Sequence, residues 1–199
     1  MKNIVLLFAL IGLAGLSFTN PNGLTGAAEV DKEKSEITWK GYKVTGSHHG
    51  TIALKEGSLE FDNGVLTGGS FEIDMTSLAV KDLQGEWAGK LEGHLKSDDF
   101  FGVKNFPTAK FVITKVYPKG TPGDYKIIGD LTIKETTKEI KFYASVKEEG
   151  QANVATADIT IDRSEFDVRY GSGNFFENLG DKTIYDEFDL SVKLVVAAK

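Results

Sequence analysis

The 199-residue chain contains no cysteine. That absence excludes a disulfide framework, thiolate metal sites, a cysteine nucleophile and lipid attachment through an N-terminal cysteine. It leaves an oxidising compartment open, because a core of this size needs no covalent staples. Arginine is nearly absent as well, with only Arg163 and Arg169 present. Two guanidiniums on a chain of formal net charge −6 make no phosphate-reading surface, which argues against nucleic acid as a partner.

Histidine is equally scarce: His48, His49 and His94 are the three present. His48 and His49 are neighbours in a strand-like stretch, so their side chains point to opposite faces. Zinc takes three or four protein ligands, and no metal site is expected. No Gly-x-Ser-x-Gly element occurs, and Gly171-Ser172-Gly173 lacks the lysine and helix of a phosphate loop. Asp98-Asp99 reads as a capping pair at the start of a helical turn. Asp162-Arg163 with Glu165 reads as a surface or rim ion-pair set, worth little in stability if exposed. The expectation is a protein that is not an enzyme and has no catalytic residues.

One apolar run is long enough to matter. Lys2 gives a positive start, and Ile4 to Leu16 is apolar with small residues mixed in. This is too short to span a hydrocarbon core of about 30 Å and fits a secretory signal peptide. The expected signal is 1–17, cut after Ser17 or as late as Ala28. A flexible lead-in over 18–30 and one domain over 31–199 would follow. The mature protein should be exported to the periplasm or beyond.

Beyond the lead-in, period-two alternation dominates. Ile37, Trp39 and Gly41 alternate with Thr38 and Lys40; Phe71, Ile73 and Met75 alternate with Glu72 and Asp74. The rhythm returns at 109–113, 125–133, 140–146, 155–161 and 188–194, with shorter pieces at Ile52/Leu54 and Leu59/Phe61. Asp62-Asn63-Gly64 and Gly120-Thr121-Pro122-Gly123-Asp124 are hairpin signals. Short links between alternating strands imply antiparallel neighbours with one apolar face. Closing such a sheet removes its edges, so the expected fold is all-β, an antiparallel β-barrel of about eight strands. A short helix is expected near residues 83–96, where Leu83, Trp87, Leu91 and Leu95 recur every fourth position and should pack on a barrel end.

Gly41, Gly69, Gly129, Ala144, Ala155 and Ala157 sit on the apolar faces beside large residues. Small and large side chains can interleave to fill a barrel, or the small ones can leave a lumen walled by aromatics. A dry apolar lumen takes apolar ligands. On the open reading the wall residues are Trp39, Phe71, Ile73, Phe111 and Ile113, with Phe142, Ile159 and Ile161 opposite. Leu91, Phe100, Phe101 and Phe106 come from the helix and the aromatic-rich stretch Lys96–Phe111. Phe166, Tyr170, Phe175 and Phe176, on a long glycine-punctuated segment, would form the other half of a mouth.

Several pieces of the chain, in order, resemble the YceI-like family of polyisoprenoid-binding periplasmic proteins. They are Ser35–Trp39, Gly46–Gly50, Gly68-Gly69-Ser70-Phe71, His94–Phe101, Phe106–Phe111, Gly129–Lys134 and Asp162–Phe166. The resemblance implies a lipocalin-like barrel with a long apolar tunnel. The tunnel would hold a polyprenyl chain, an isoprenoid quinone or a fatty amide or acid, for transport, storage or stress response. No other cofactor is implied, and many relatives pair as homodimers. Two positions depart from the family pattern: Glu135 and Asp167 stand where glycine is usual. A ligand-free filled barrel acting as an interaction or stress module is the alternative, with a lipid-modifying enzyme behind it.

Overall fold

The computed structural model describes residues 23–150 and 152–197. The expected signal peptide, 1–17, lies outside them. Nine strands form one antiparallel sheet: β1 (Gly26–Glu29), β2 (Glu36–Lys43), β3 (Gly46–Asp62), β4 (Val65–Val80), β5 (Thr108–Pro118), β6 (Asp124–Ile133), β7 (Thr136–Glu149), β8 (Ala152–Asp162) and β9 (Ile184–Ala197). The order β3-β2-β9-β8-β7-β6-β5-β4 closes through a β3–β4 pairing into an eight-stranded barrel, with β1 added along β3. Among the described residues no helix is long and apolar enough to cross a membrane.

The period-two runs became these strands. Ile52/Leu54 and Leu59/Phe61 proved to be parts of one 17-residue strand, β3. Bulges between Thr51 and Ala53 and between Leu54 and Glu56 shift its register against β4, which breaks the alternation that a sequence pattern would follow. Asn63 (φ 49°) and Gly64 (φ 80°) make the tight turn into β4.

The lead-in over 18–30 is corrected in its second half. Gly26–Glu29 pairs in register with Phe61–Ser58, Val30 bridges to Val196, and Ala28 is buried. Four residues of mostly small side chains carry too little periodicity to announce a strand; the end of β3 supplies the partner.

The expected helix is present as α1, Gly85–Lys96. It follows β4 and leans on it. Its packing differs from expectation: no α1 residue is fully buried, and Trp87 is 70 % exposed. Leu91 and Leu95 alone of its stripe face the barrel interior. Gly85, Gly89 and Gly93 each leave open space where a Cβ would stand; the helix is held from elsewhere, where Glu92 accepts from the Val80 amide at 2.8 Å and Lys96 donates to the Thr76 carbonyl at 2.9 Å.

The registers define the two ends of the barrel. Lys43 pairs with both Gly46 and Ile184, Gly50 with Val80, and Ile133 with Thr136, while Asp162 pairs with Glu187. These turns and strand ends, with α1, make the upper end. The lower end is filled by a cluster that includes Leu59, Phe61, Leu66, Tyr125, Ile127 and Val196. The Tyr125 hydroxyl accepts a hydrogen bond from the Leu66 amide at 3.3 Å, so even its polar atom is satisfied there.

Candidate functional site

The barrel is hollow. A cavity of about 390 Å³ lies inside it, above the packed lower end, and side chains of every barrel strand and of α1 line it. Filling by the protein's own side chains, the alternative left open by the sequence, does not occur.

Glycines keep the bore open in two ways. Gly41 lines it directly, and a Cβ there would meet nothing within 4 Å. Gly50 and Gly57 act differently, each accepting an aromatic ring from the strand beside it. A Cβ at Gly50 would stand 2.7 Å from the Trp39 ring, and one at Gly57 would stand 2.6 Å from Phe71. The same holds for Gly129, where Phe111 would be 2.5 Å away. Trp39 is paired with Gly50, and Phe71 with Gly57. Rings therefore lie against the wall, where glycine removes the side chain that would push them into the bore. The expectation that Gly69 and Gly129 leave empty space is corrected on this ground. A Cβ at Gly69 would meet the Ser58 carbonyl at 2.7 Å and Leu59 at 3.1 Å. Ala144, Ala155 and Ala157 do line the cavity.

The wall is aromatic along one arc. Phe71 and Phe111 stack with ring centroids 6.4 Å apart, and Phe111 meets Phe142 at 5.5 Å. Trp39, Ile73, Ile113, Ile159 and Ile161 complete the wall residues expected from alternation, and all line the cavity. Leu91, Phe100 and Phe101 line its upper part. Phe100 and Phe101 meet edge to face at 5.0 Å, and Phe101 reaches Phe188 at 6.5 Å.

Five expected residues do not line it. Phe166 is 1 % exposed and belongs to the packed cluster with Met75, Val103, Ala109 and Ile161. Its burial follows from the 3-10 turn Arg163–Phe166, which folds the chain inward at the end of β8. Phe106 packs on Gly102 within a tight turn, with a ring carbon 3.2 Å from where a Cβ would stand. Tyr170, Phe175 and Phe176 are about half exposed on the outside of the upper end. Tyr170 sets its ring 4.5 Å from His94, and Phe175 lies 4.5 Å beneath the Arg169 guanidinium.

Sequence reasoning missed part of the aliphatic wall. Ile52, Leu54, Ile127, Leu131, Leu190 and Val192 all line the bore. They sit on the same alternating faces as the expected wall residues, so the signal was present in the alternation.

The polar groups facing the bore gather mostly at the upper end: Lys43, His48, His94, Arg163, Tyr185 and Glu187. His48 lies with Nδ1 2.8 Å from Asp82 Oδ2, while the other oxygen accepts from the His49 amide at 3.1 Å. Burial pushes the Asp82 carboxyl up, but the hydrogen bonds from His48 and the backbone outweigh it and hold the group below its ordinary value. His49 is exposed, on the opposite face from His48. Among the described residues no group of three His, Cys, Asp or Glu side chains could hold a metal ion.

Arg163 departs from the expected exposed ion pair. Its side chain is 2 % exposed. It donates to the carbonyls of Tyr185 (3.1 Å), Val168 (2.6 Å) and Ile184 (3.0 Å), and Asp186 Oδ1 stands 3.2 Å away. Burial pulls the guanidinium below its ordinary value, and Asp186 opposes that pull. Asp186 Oδ2 in turn accepts from Ser172 (2.8 Å) and Asn174 (2.7 Å). Arg163 thus ties the 168–186 segment to the upper end. Asp162 is not its partner; it caps the 3-10 turn by accepting from the Ser164 amide at 2.9 Å. Asp98 likewise follows the end of α1 rather than starting a helix and accepts from Asn105 at 3.1 Å. Asp167, where the family favours glycine, has φ 60°; aspartate is among the few residues that tolerate this left-handed conformation.

The chain is 36 % identical over 96 residues to a UPF0312 protein of Shewanella denitrificans, and the match spans about half of each chain (48 %). Among solved structures it is similar to Burkholderia cenocepacia BcnA, with a TM-score of 0.67 at 24 % identity, covering 83 % of this chain and 98 % of that one. A polyisoprenoid binding domain from Saccharophagus degradans, implicated in plant cell wall breakdown, superposes with a TM-score of 0.63 at 12 % identity, covering 88 % of this chain and all of that one. These structural likenesses concern the fold. The model of the YceI-like domain matches residues 29–196. With nearly the whole described chain matched and a hollow barrel shaped to receive a ligand, this protein belongs to the YceI-like family.

Proposed function

We propose that the chain is an exported, non-catalytic carrier that holds one long apolar molecule in the barrel, for transport, storage or stress response. The ligand class is a polyisoprenoid, an isoprenoid quinone, or a fatty amide or acid. One observation carries the reading: the bore is walled by apolar side chains along its length, and polar groups cluster at its upper end. Each ligand CH₂ moved from water into such a wall gains about 0.8 kcal/mol, so a five-carbon isoprene unit gains roughly 3–4 kcal/mol. A few units reach affinities near the practical ceiling, about −18 to −21 kcal/mol, before the costs of ordering are subtracted. Length and girth then select the ligand more than polar recognition does. The Saccharophagus degradans relative, described as a polyisoprenoid binding domain, supports the isoprenoid chemistry.

Export rests on Lys2 and the apolar run Ile4–Leu16. A cut after Ala28 would remove three of the four residues of β1, which favours the cut after Ser17.

The test is organic extraction and native mass spectrometry of protein purified from its native host. A long-chain lipid recovered chemically unchanged is the expected result. Protein that carries no lipid, and takes up neither added polyprenol nor added quinone, overturns the proposal.

A further inference from the structure

The large apolar side chains left exposed are not spread evenly. Ten are exposed among the described residues, and six belong to the upper end: Val44, Trp87, Tyr170, Phe175, Phe176 and Tyr185. Contacts bring their segments together around the mouth. The Val44 amide donates to Thr183 at 3.2 Å, and the Ile184 amide to Gly171 at 2.8 Å. Tyr170 packs on His94 of α1, and both His94 and Tyr185 line the bore. The exposed rim is therefore continuous with the apolar cavity.

The chemistry of the rim points to one kind of occupant. Tryptophan and tyrosine have an apolar body and a polar tip, and they concentrate where hydrocarbon meets water. The cations nearest the exposed rings are neutralised locally: Lys90 pairs with Glu86 at 2.7 Å, and Arg169 with Asp167 at 3.0 Å. The same two cations cover the faces of Trp87 and Phe175, at 4.9 Å and 4.5 Å. Elsewhere on the rim the exposed Lys43 and Lys182 are balanced by the exposed Glu177 and Asp181, and a rim without an excess of cations matches a bilayer of zwitterionic headgroups. It does not match an anionic surface, which a chain of net charge −6 would also meet with repulsion.

We infer that the upper end is a membrane-docking surface. Trp87, Phe175 and Phe176 enter the headgroup region of a zwitterionic bilayer and set the mouth of the barrel against it, so that an apolar molecule passes between bilayer and bore without crossing water. The identity of the ligand rests on the function proposed above; docking does not, and it is measured without cargo.

The chain has two tryptophans, Trp39 and Trp87. Trp39→Phe leaves Trp87 as the sole emitter and prevents lipid inside the bore from contributing to the signal. Vesicles of dioleoylphosphatidylcholine should shift Trp87 emission to the blue, and brominated phosphatidylcholine should quench it. Flotation of the unaltered protein with the same vesicles gives a readout that does not depend on Trp39→Phe folding. Phe175→Ser combined with Phe176→Ser should weaken partitioning at least tenfold. Tyr143→Ser, at an exposed tyrosine on β7 outside the rim, should leave it unchanged, and added salt should have little effect. No quenching together with no flotation overturns the inference. So does equal weakening by Tyr143→Ser, or binding that requires anionic lipid. Vesicle binding that persists when polyprenol uptake fails would sink the ligand reading and leave docking standing.

Discussion

Gly41→Phe is the sharpest probe of the open bore. Gly41 lies on β2, lines the cavity, and has no atom within 4 Å of where a Cβ would stand. Its backbone lies outside the left-handed region, so a side chain adds no strain. The partners His48 and Phe188 flank it on either side. A phenyl ring there occupies about the space of one isoprene unit. The ligand would lose the burial of that unit, about 3–4 kcal/mol, which at 1.4 kcal/mol per decade is roughly a 100- to 1,000-fold rise in Kd. Folding should not suffer, because a strand glycine costs about 0.5–1 kcal/mol relative to residues with a side chain. Binding is followed by tryptophan emission during titration with polyprenol or quinone, since Trp39 forms part of the wall. Urea unfolding of the same variant controls for stability. An unchanged Kd in a variant with an unchanged urea midpoint would rule out a ligand seated in this bore, because such a ligand must share the space beside Gly41 with the ring.

Three further outcomes follow from other parts of the wall. Gly50→Ala would place a Cβ 1.8 Å from the Ala79 carbonyl oxygen and 2.7 Å from the Trp39 ring; overpacking against backbone should cost about 3 kcal/mol, read as a fall in the urea midpoint. Arg163→Ala leaves Asp186 buried without its cation and three carbonyls without a donor; a loss of about 3–5 kcal/mol is expected, and hydrogen exchange should rise in 168–186 before it rises in the barrel. The hydrogen bonds from Tyr42 (2.6 Å) and Thr160 (2.7 Å) hold the Asp189 carboxyl below its ordinary value. Its contribution is therefore present above the unfolded aspartate pKa and lost as pH falls through the lower folded value, so the stability gap between the native chain and Asp189→Asn should begin to narrow below about pH 4 and go on closing as pH falls further. A gap that does not narrow at all as pH is lowered from 5 to 2 in chemical unfolding curves would contradict this assignment.

Much of the barrel was legible because a strand that buries one face must alternate, and each of β2 and β4–β9 carries that alternation over at least four residues. The lining followed in part: Trp39, Phe71 and Ile159 face the bore for the same reason that their neighbours face water. Alternation stops where the chain leaves the sheet, and there the reading failed. Phe166, on a 3-10 turn, went into the core, whereas Phe175 and Phe176, a few residues beyond, stayed outside. Nothing in the order of these residues separates the two fates. They depend on Arg163, whose hydrogen bonds reach across 21 and 22 positions to Ile184 and Tyr185.

Period-two patterning and turn chemistry act between near neighbours, and they suffice to specify a closed antiparallel sheet with one apolar face. Whether that face enclosed space or filled it was decided only in three dimensions. The deciding contacts run between strands: Trp39 over Gly50, Phe71 over Gly57, Phe111 over Gly129. A glycine reads the same along the chain whether it faces emptiness or carries a neighbour's ring. Only register says which, and register is a property of the assembled sheet.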